Sequence, residues 1–218
     1  MKATFFVVGE KVEEYPALVR RMLNEGHEVG NHSYSHPRLD GMTEDQIRGE
    51  IGKCARAVEN ATGAGMNLFR PPGMRYDETV IRAAQDLGYV TVHWNAAAQD
   101  YKAQDPASLA HKVLKRVQPG SVILLHSHPD TIKALPRIIS ELKRQGYRFV
   151  RVSQMLGRLP RPVYVKTNAY GVKQELVVKA EAPPKSGPKK VAKREANVPL
   201  SGAKRSLPAG GLQGPEWH

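Results

Sequence analysis

The feature that most constrains this chain is a regular alternation of short apolar runs with longer stretches of helical periodicity. Ala3 to Val8 is an apolar run that begins almost at the first residue. Pro16 to Asn24 carries Leu18, Val19, Met22 and Leu23 at helical spacing, with Gly26 as its stop. Thr43 and Gln46 form a capping box, and Ile47, Ile51, Cys54, Ala55 and Val58 make one stripe behind it. Asn67 to Arg70 reads as a strand stopped by Pro71-Pro72, Asp77 to Leu87 as a helix ended by Gly88, and Tyr89 to Trp94 as a strand. Ala107 to Val117 is helical, Val122 to His126 a buried strand, Thr131 to Arg144 a helix ending before Gly146, and Tyr147 to Val152 the last strand. Strands separated by helices at this spacing pair in parallel through right-handed crossovers. In such α/β folds the chemistry gathers at the C-terminal ends of the strands.

Four chemistry-bearing groups stand at those ends: His32 with His36, Arg70-Pro71-Pro72-Gly73, Trp94-Asn95, and His126. His32 and His36 are four positions apart, one helical turn, so both rings can reach one point. Neutral imidazole is the commonest protein ligand of divalent transition metals. Two ligands do not complete a site, and an arbitrary pair at this spacing more often serves surface or capping roles. His126 follows the apolar run Val122 to Leu125, so a hydrogen-bonded core histidine is its rival reading. The shared placement at strand ends weighs more than any single group.

The length suits one domain of ordinary size, residues 1–159, plus an extension, residues 160–218. The net charge is +12, and after Leu159 eleven basic residues face four acidic ones. Pro, Lys, Ala and Gly dominate that extension, leaving too little apolar surface to offset ordering entropy, so a mostly disordered tail is expected. Val163–Val165 and Leu176–Val178 flank Asn168-Ala169-Tyr170-Gly171 and suggest a hairpin within 163–178. Such a tail can meet polyanions, but its densest patch, Lys189 to Arg194, has no interleaved aromatics, so no specific nucleic acid is expected. Cys54 is the only cysteine, which excludes an intrachain disulfide and a zinc site built on cysteines. No apolar run is long enough to span a membrane, and Met1 to Val8 makes a poor signal peptide, so the chain as written reads as cytoplasmic.

Read together, several segments resemble the polysaccharide deacetylase family, also called NodB-homology domains or carbohydrate esterase family 4. They are Ala3 to Gly9, Gly26 to Pro37, Phe69 to Gly73, Leu124-Leu125-His126 and Gly146 to Val150, in the family's order. The resemblance implies a distorted (β/α) barrel that removes N-acetyl or O-acetyl groups from a polysaccharide such as peptidoglycan or chitin, using a divalent metal. It implies zinc first, with cobalt, nickel or manganese as alternatives. On the matching positions, His32 and His36 would be metal ligands, His126 the general acid, and Arg70 the residue that orients an aspartate base. Pro72, Gly73, Trp94 and Leu124 would contact substrate, Leu124 lining the acetyl pocket. Trp94 to Tyr101 matches the fourth motif loosely: Ala97 stands where many relatives are acidic, Tyr101 where many carry tryptophan, and Asp100 is retained.

One departure is large. Relatives begin with a strand ending in Thr-Phe-Asp-Asp-Gly, whose aspartates supply the base and the third metal ligand. No Asp-Asp pair occurs in this sequence. The expectation is therefore an incomplete barrel that lacks the first strand and helix, exposes strand edges, binds metal weakly and turns over poorly. The full-length parent would be extracytoplasmic or belong to the cell envelope. The alternatives are a non-catalytic carbohydrate-binding relative, or polyanion binding through the tail.

Overall fold

The computed structural model describes residues 1–102 and 105–157. Strand β1 (Thr4–Val7) leads to α1 (Gly9–Glu14) and α2 (Pro16–Asn24), then β2 (Glu28–Asn31) and α3 (Glu44–Thr62). β3 (Leu68–Phe69), a 3-10 turn (Pro72–Met74), α4 (Glu78–Asp86), β4 (Val90–Thr91) and β5 (Ala96–Ala97) follow. α5 (Pro106–Arg116), β6 (Ile123–Leu124), α6 (Pro129–Arg144) and α7 (Val152–Leu156) complete the described part. The four-stranded sheet runs β1-β2-β3-β4 and a second sheet pairs β5 with β6, every pairing parallel. The expected parallel α/β class is thus observed.

Local chemistry explains the helix ends. Thr43 accepts from the Gln46 backbone N–H while the Gln46 side chain accepts from Thr43 N–H, closing the capping box of α3. Asp77 and Asp105 cap α4 and α5 by accepting from Val80 and Ser108 N–H. Pro16, Pro106 and Pro129 open α2, α5 and α6, where a missing N–H costs nothing. Three apolar clusters make the core. Val7, Val12, Val19, Val29, Ala57 and Val58 pack β1 and β2 under α1, α2 and α3. Leu39, Ile47, Ile51, Phe69, Val80 and Tyr89 join α3 and α4 to β3. Leu109, Ala110, Val113, Ala134, Ile138 and Leu142 lock α5 to α6. Ile47, Ile51, Cys54 and Val58 are buried as their stripe predicts, but Ala55 is half-buried and Ala57 takes its place inside.

The strands depart most from expectation. β3 and β4 are two-residue ladders, and Val122 to His126 narrows to β6, which is half-buried. Among the described residues β6 pairs only with β5, and Leu124 lines a cavity of about 1140 Å³ that Phe5 and Phe6 of β1 also line. Tyr147 to Val152 carries no strand. Tyr147 and Phe149 pack on the α5–α6 cluster instead, and the chain turns into α7. There Val152 and Ser153 donate their N–H groups to Thr4 Oγ1 (2.9 Å) and Glu28 Oε2 (3.1 Å). α1 was not foreseen because only Gly9 and Val12 of its six residues are buried, too few for a periodic signal. The tail and the hairpin expected at 163–178 lie outside the described residues.

Candidate active site

The parallel ladder brings His32 and Arg70 to one level. His32 N–H donates to Val7 O (3.0 Å) and Arg70 N–H to Asn31 O (2.9 Å), one step beyond the last paired residues. His32 is buried. Burial, helped by the field of Arg70, holds its imidazole well below the usual histidine range, so the ring is neutral at pH 7. Its Nδ1 lies 2.5 Å from Arg70 O and its Nε2 lies 2.9 Å from Arg70 Nη2. The carbonyl can only accept and the guanidinium can only donate. The tautomer is therefore fixed: Nδ1 carries the proton and the Nε2 lone pair faces Arg70.

The expected meeting of His32 and His36 occurs, but not by a helical turn. The two rings stand edge to face with centroids 4.8 Å apart, on a loop in which Ser33 (φ 64) and His36 (φ 60) are left-handed. That loop is held from three sides. Gly9 and Glu10, at the start of α1, donate N–H to Ser33 O and Tyr34 O (both 3.0 Å), which satisfies orphan donors of the helix end. Buried Asn31 donates to Ile51 O (2.8 Å) and accepts from Ser33 N–H (3.0 Å). The Glu50 carboxylate accepts from Tyr34 N–H, Ser35 N–H and Ser35 Oγ at 2.9 to 3.0 Å.

On the other sheet, His126 stands just after β6. Asp100, almost wholly buried, accepts from His126 N–H (2.5 Å), His126 Nδ1 (2.8 Å) and Thr131 Oγ1 (2.9 Å). Burial alone would raise its carboxyl, but the three donors and the nearby imidazole outweigh it, and Asp100 sits below the usual carboxylate range. The carboxylate orients His126 with Nδ1 protonated, leaving Nε2 for chemistry. Tyr101, more than half exposed, stands edge-on to the same ring at 6.1 Å.

His32, Arg70, Trp94, Leu124 and His126 line the cavity of about 1140 Å³ between the sheets. His36, Pro72 and Gly73 are not in its lining. The prolines are buried, and Gly73 lies in the left-handed region (φ 55) of the turn behind Arg70. Sequence reasoning gave Asp100 no role and passed over Thr131, Asn31 and Glu50. Glu50 had a readable signal: it sits three positions from Ile47 and four from Cys54, so a carboxylate occupies the apolar face of α3. Thr131 had none, because its partner Asp100 is distant in sequence, and Asn31 bonds the nearby Ser33 but also the distant Ile51.

The residues present do not fit a completed divalent-metal centre. No group of three His, Cys, Asp or Glu side chains is placed to hold a metal ion among the described residues. Asp100 is committed to His126 and Thr131, and Arg70 covers the lone pair His32 would offer. No described helix is long and apolar enough to cross a membrane.

The site is thus a cavity in a parallel α/β domain, with His32 and Arg70 on one side and the carboxylate-oriented His126 on another, and with His36 beside His32 outside the lining. Comparison with known proteins gives the family. The family described as Polysaccharide deacetylase matches residues 1–92. A peptidoglycan-N-acetylglucosamine deacetylase of Bacillus cereus is 38% identical, over 71% of this chain and 58% of that protein. A second deacetylase of the same description from Bacillus cereus is 35% identical, over 71% of this chain and 75% of that protein. Among solved structures, a pseudoenzyme of carbohydrate esterase family 4 from Bacillus anthracis superposes with TM-score 0.69 at 33% identity, covering 72% of this chain and 56% of that one. The chain belongs to the polysaccharide deacetylase family, although it spans only 58% of the first of these relatives.

Proposed function

We propose that this chain is a polysaccharide deacetylase domain that binds an acetylated glycan in the cavity between its sheets and hydrolyses the acetyl group slowly as it stands. The substrate class is a polymer of N-acetylated, or O-acetylated, sugars such as peptidoglycan or chitin. The observation that carries the reading is the His126–Asp100 pair beside Leu124 and Trp94, facing His32 and Arg70 across one cavity. An oriented imidazole can protonate a leaving amine, a contribution of about 10²- to 10⁴-fold in rate. The opposite wall is incomplete. Two imidazoles without a third ligand bind zinc, or cobalt, nickel or manganese, weakly, and no group of three His, Cys, Asp or Glu side chains is placed to hold an ion among the described residues. The likeness to a pseudoenzyme supports a second reading, a non-catalytic glycan-binding domain.

Titration calorimetry with N-acetylated and fully deacetylated chito-oligosaccharides of equal length tests the proposal. The acetylated ligand binds more tightly, and Leu124→Arg removes the difference; equal affinity for the two ligands rules out acetyl recognition. Slow acetate release that disappears in His126→Ala separates the hydrolase from the purely binding reading.

A further inference from the structure

We infer that Arg70 is a built-in cation that caps His32 and stands where a divalent metal would otherwise take the imidazole lone pair. The inference rests on the proposed reading of His32 and His36 as a ligand pair. It begins with one residue gripping the ring at both ends. The carbonyl of Arg70 takes the Nδ1 proton, and its own guanidinium reaches round to Nε2. A guanidinium offers only donors, so the contact at 2.9 Å consumes the electron pair that a metal would need.

The surroundings hold the guanidinium in place. It lies over the Phe6 ring, 5.5 Å from the centroid, a cation–π contact from β1. A guanidinium stays charged in proteins, so Arg70 acts here as a fixed cation. Its Nε is buried without a hydrogen-bond partner among the described residues. An arginine with a carboxylate beside it would turn that Nε toward it. Asp100, the carboxylate whose charge acts on Arg70, already serves three donors. The neutral imidazole is thus the acceptor left to Arg70, and the buried cation gains a partner there.

Metal binding then requires two unfavourable steps: lifting the guanidinium off Nε2, and placing a second positive charge beside it in a poorly solvated cavity. Arg70→Met keeps length and volume while removing both obstacles. Zinc titrated into the full chain should bind Arg70→Met about 10-fold more tightly than wild type, or better, the scale on which groups touching a ligand histidine tune metal affinity. His36→Ala on the Arg70→Met background should abolish the gain. Equal or weaker zinc binding by Arg70→Met, or a gain that survives His36→Ala, overturns the inference. A readout that needs neither metal nor variant is the imidazole ¹⁵N spectrum of the wild-type chain prepared with chelator. His32 protonated at Nδ1, with a hydrogen-bonded Nε2, supports the cap, and an Nε2–H tautomer overturns it. If Arg70→Met fails to fold, that spectrum decides. Loss of glycan recognition would undo the functional proposal and leave these results standing.

Discussion

At the residue scale, two arginine–histidine and aspartate–histidine contacts divide the site into an oriented half and a capped half. Asp100 is the residue on which the oriented half depends. Asp100→Asn keeps the shape but loses the charge that accepts from His126 and Thr131, and should cost about 1–3 kcal/mol, as for charge-assisted hydrogen bonds lost from a buried site. Its pH dependence has a defined sign. The folded pKa of Asp100 lies below its ordinary value of about 3.9, so its stabilising effect is complete above that pH and fades as pH falls through the depressed folded value. Urea unfolding of wild type and Asp100→Asn should therefore differ by a constant amount from pH 5 to 7 and converge below about pH 4. A gap that widens on acidification contradicts the assignment.

At the scale of elements, the loop from His32 to His36 is the most tightly specified piece of the chain. Two left-handed non-glycine residues carry strain of about 1–3 kcal/mol each at most. The bonds from α1, Asn31 and Glu50 offset it. Glu50→Ala leaves three donors without their acceptor, and should lower stability by about 1–3 kcal/mol. It should also accelerate amide exchange at Tyr34 and Ser35 selectively; protection unchanged at both amides would show that the carboxylate does not hold the loop. β1 and β2 meet as closely at Gly30, where an added Cβ would come within 2.6 Å of the Phe6 ring. Gly30→Ala should cost about 1–3 kcal/mol by overpacking, read from the denaturation midpoint, and should disturb the aromatic face on which Arg70 rests. The capping box of α3, the end of α2 at Gly26 and that of α4 at Gly88 were legible because caps and stops are local chemistry. The lengths of β3, β4 and β6, and the absence of a strand at Tyr147 to Val152, were not. A strand's extent depends on which neighbour offers a ladder, and apolar residues such as Tyr147 and Phe149 pack equally well without one.

At the scale of the molecule, alternation led to a parallel α/β fold, which is observed, and strand-end placement led to one shared region, where His32, Arg70, Trp94, Leu124 and His126 line a cavity while His36, Pro72 and Gly73 do not. His32, Arg70, Trp94 and His126 were expected together because each follows or ends an apolar run, and they line one cavity with Leu124, which the family resemblance supplied. How they contact one another was not legible. Arg70 was expected to orient an aspartate, whereas its guanidinium lies against His32 Nε2, a contact that no spacing in the sequence foretells. Similarly, the spacing of His32 and His36 suggested a helix, whereas a strained loop brings the rings together. In the proposed reading, the acid side is the His126–Asp100 pair and the metal side is His32 with its lone pair covered by Arg70. The most direct test is a single proton NMR titration of the full chain with an N-acetylated chito-oligosaccharide in the presence of Zn²⁺. It follows the Trp94 indole, the His126 ring and the methyl signal of free acetate together. The account predicts shifts of the Trp94 and His126 signals while acetate accumulates slowly or not at all. Absence of those shifts, or rapid acetate release that His36→Ala abolishes, would contradict it.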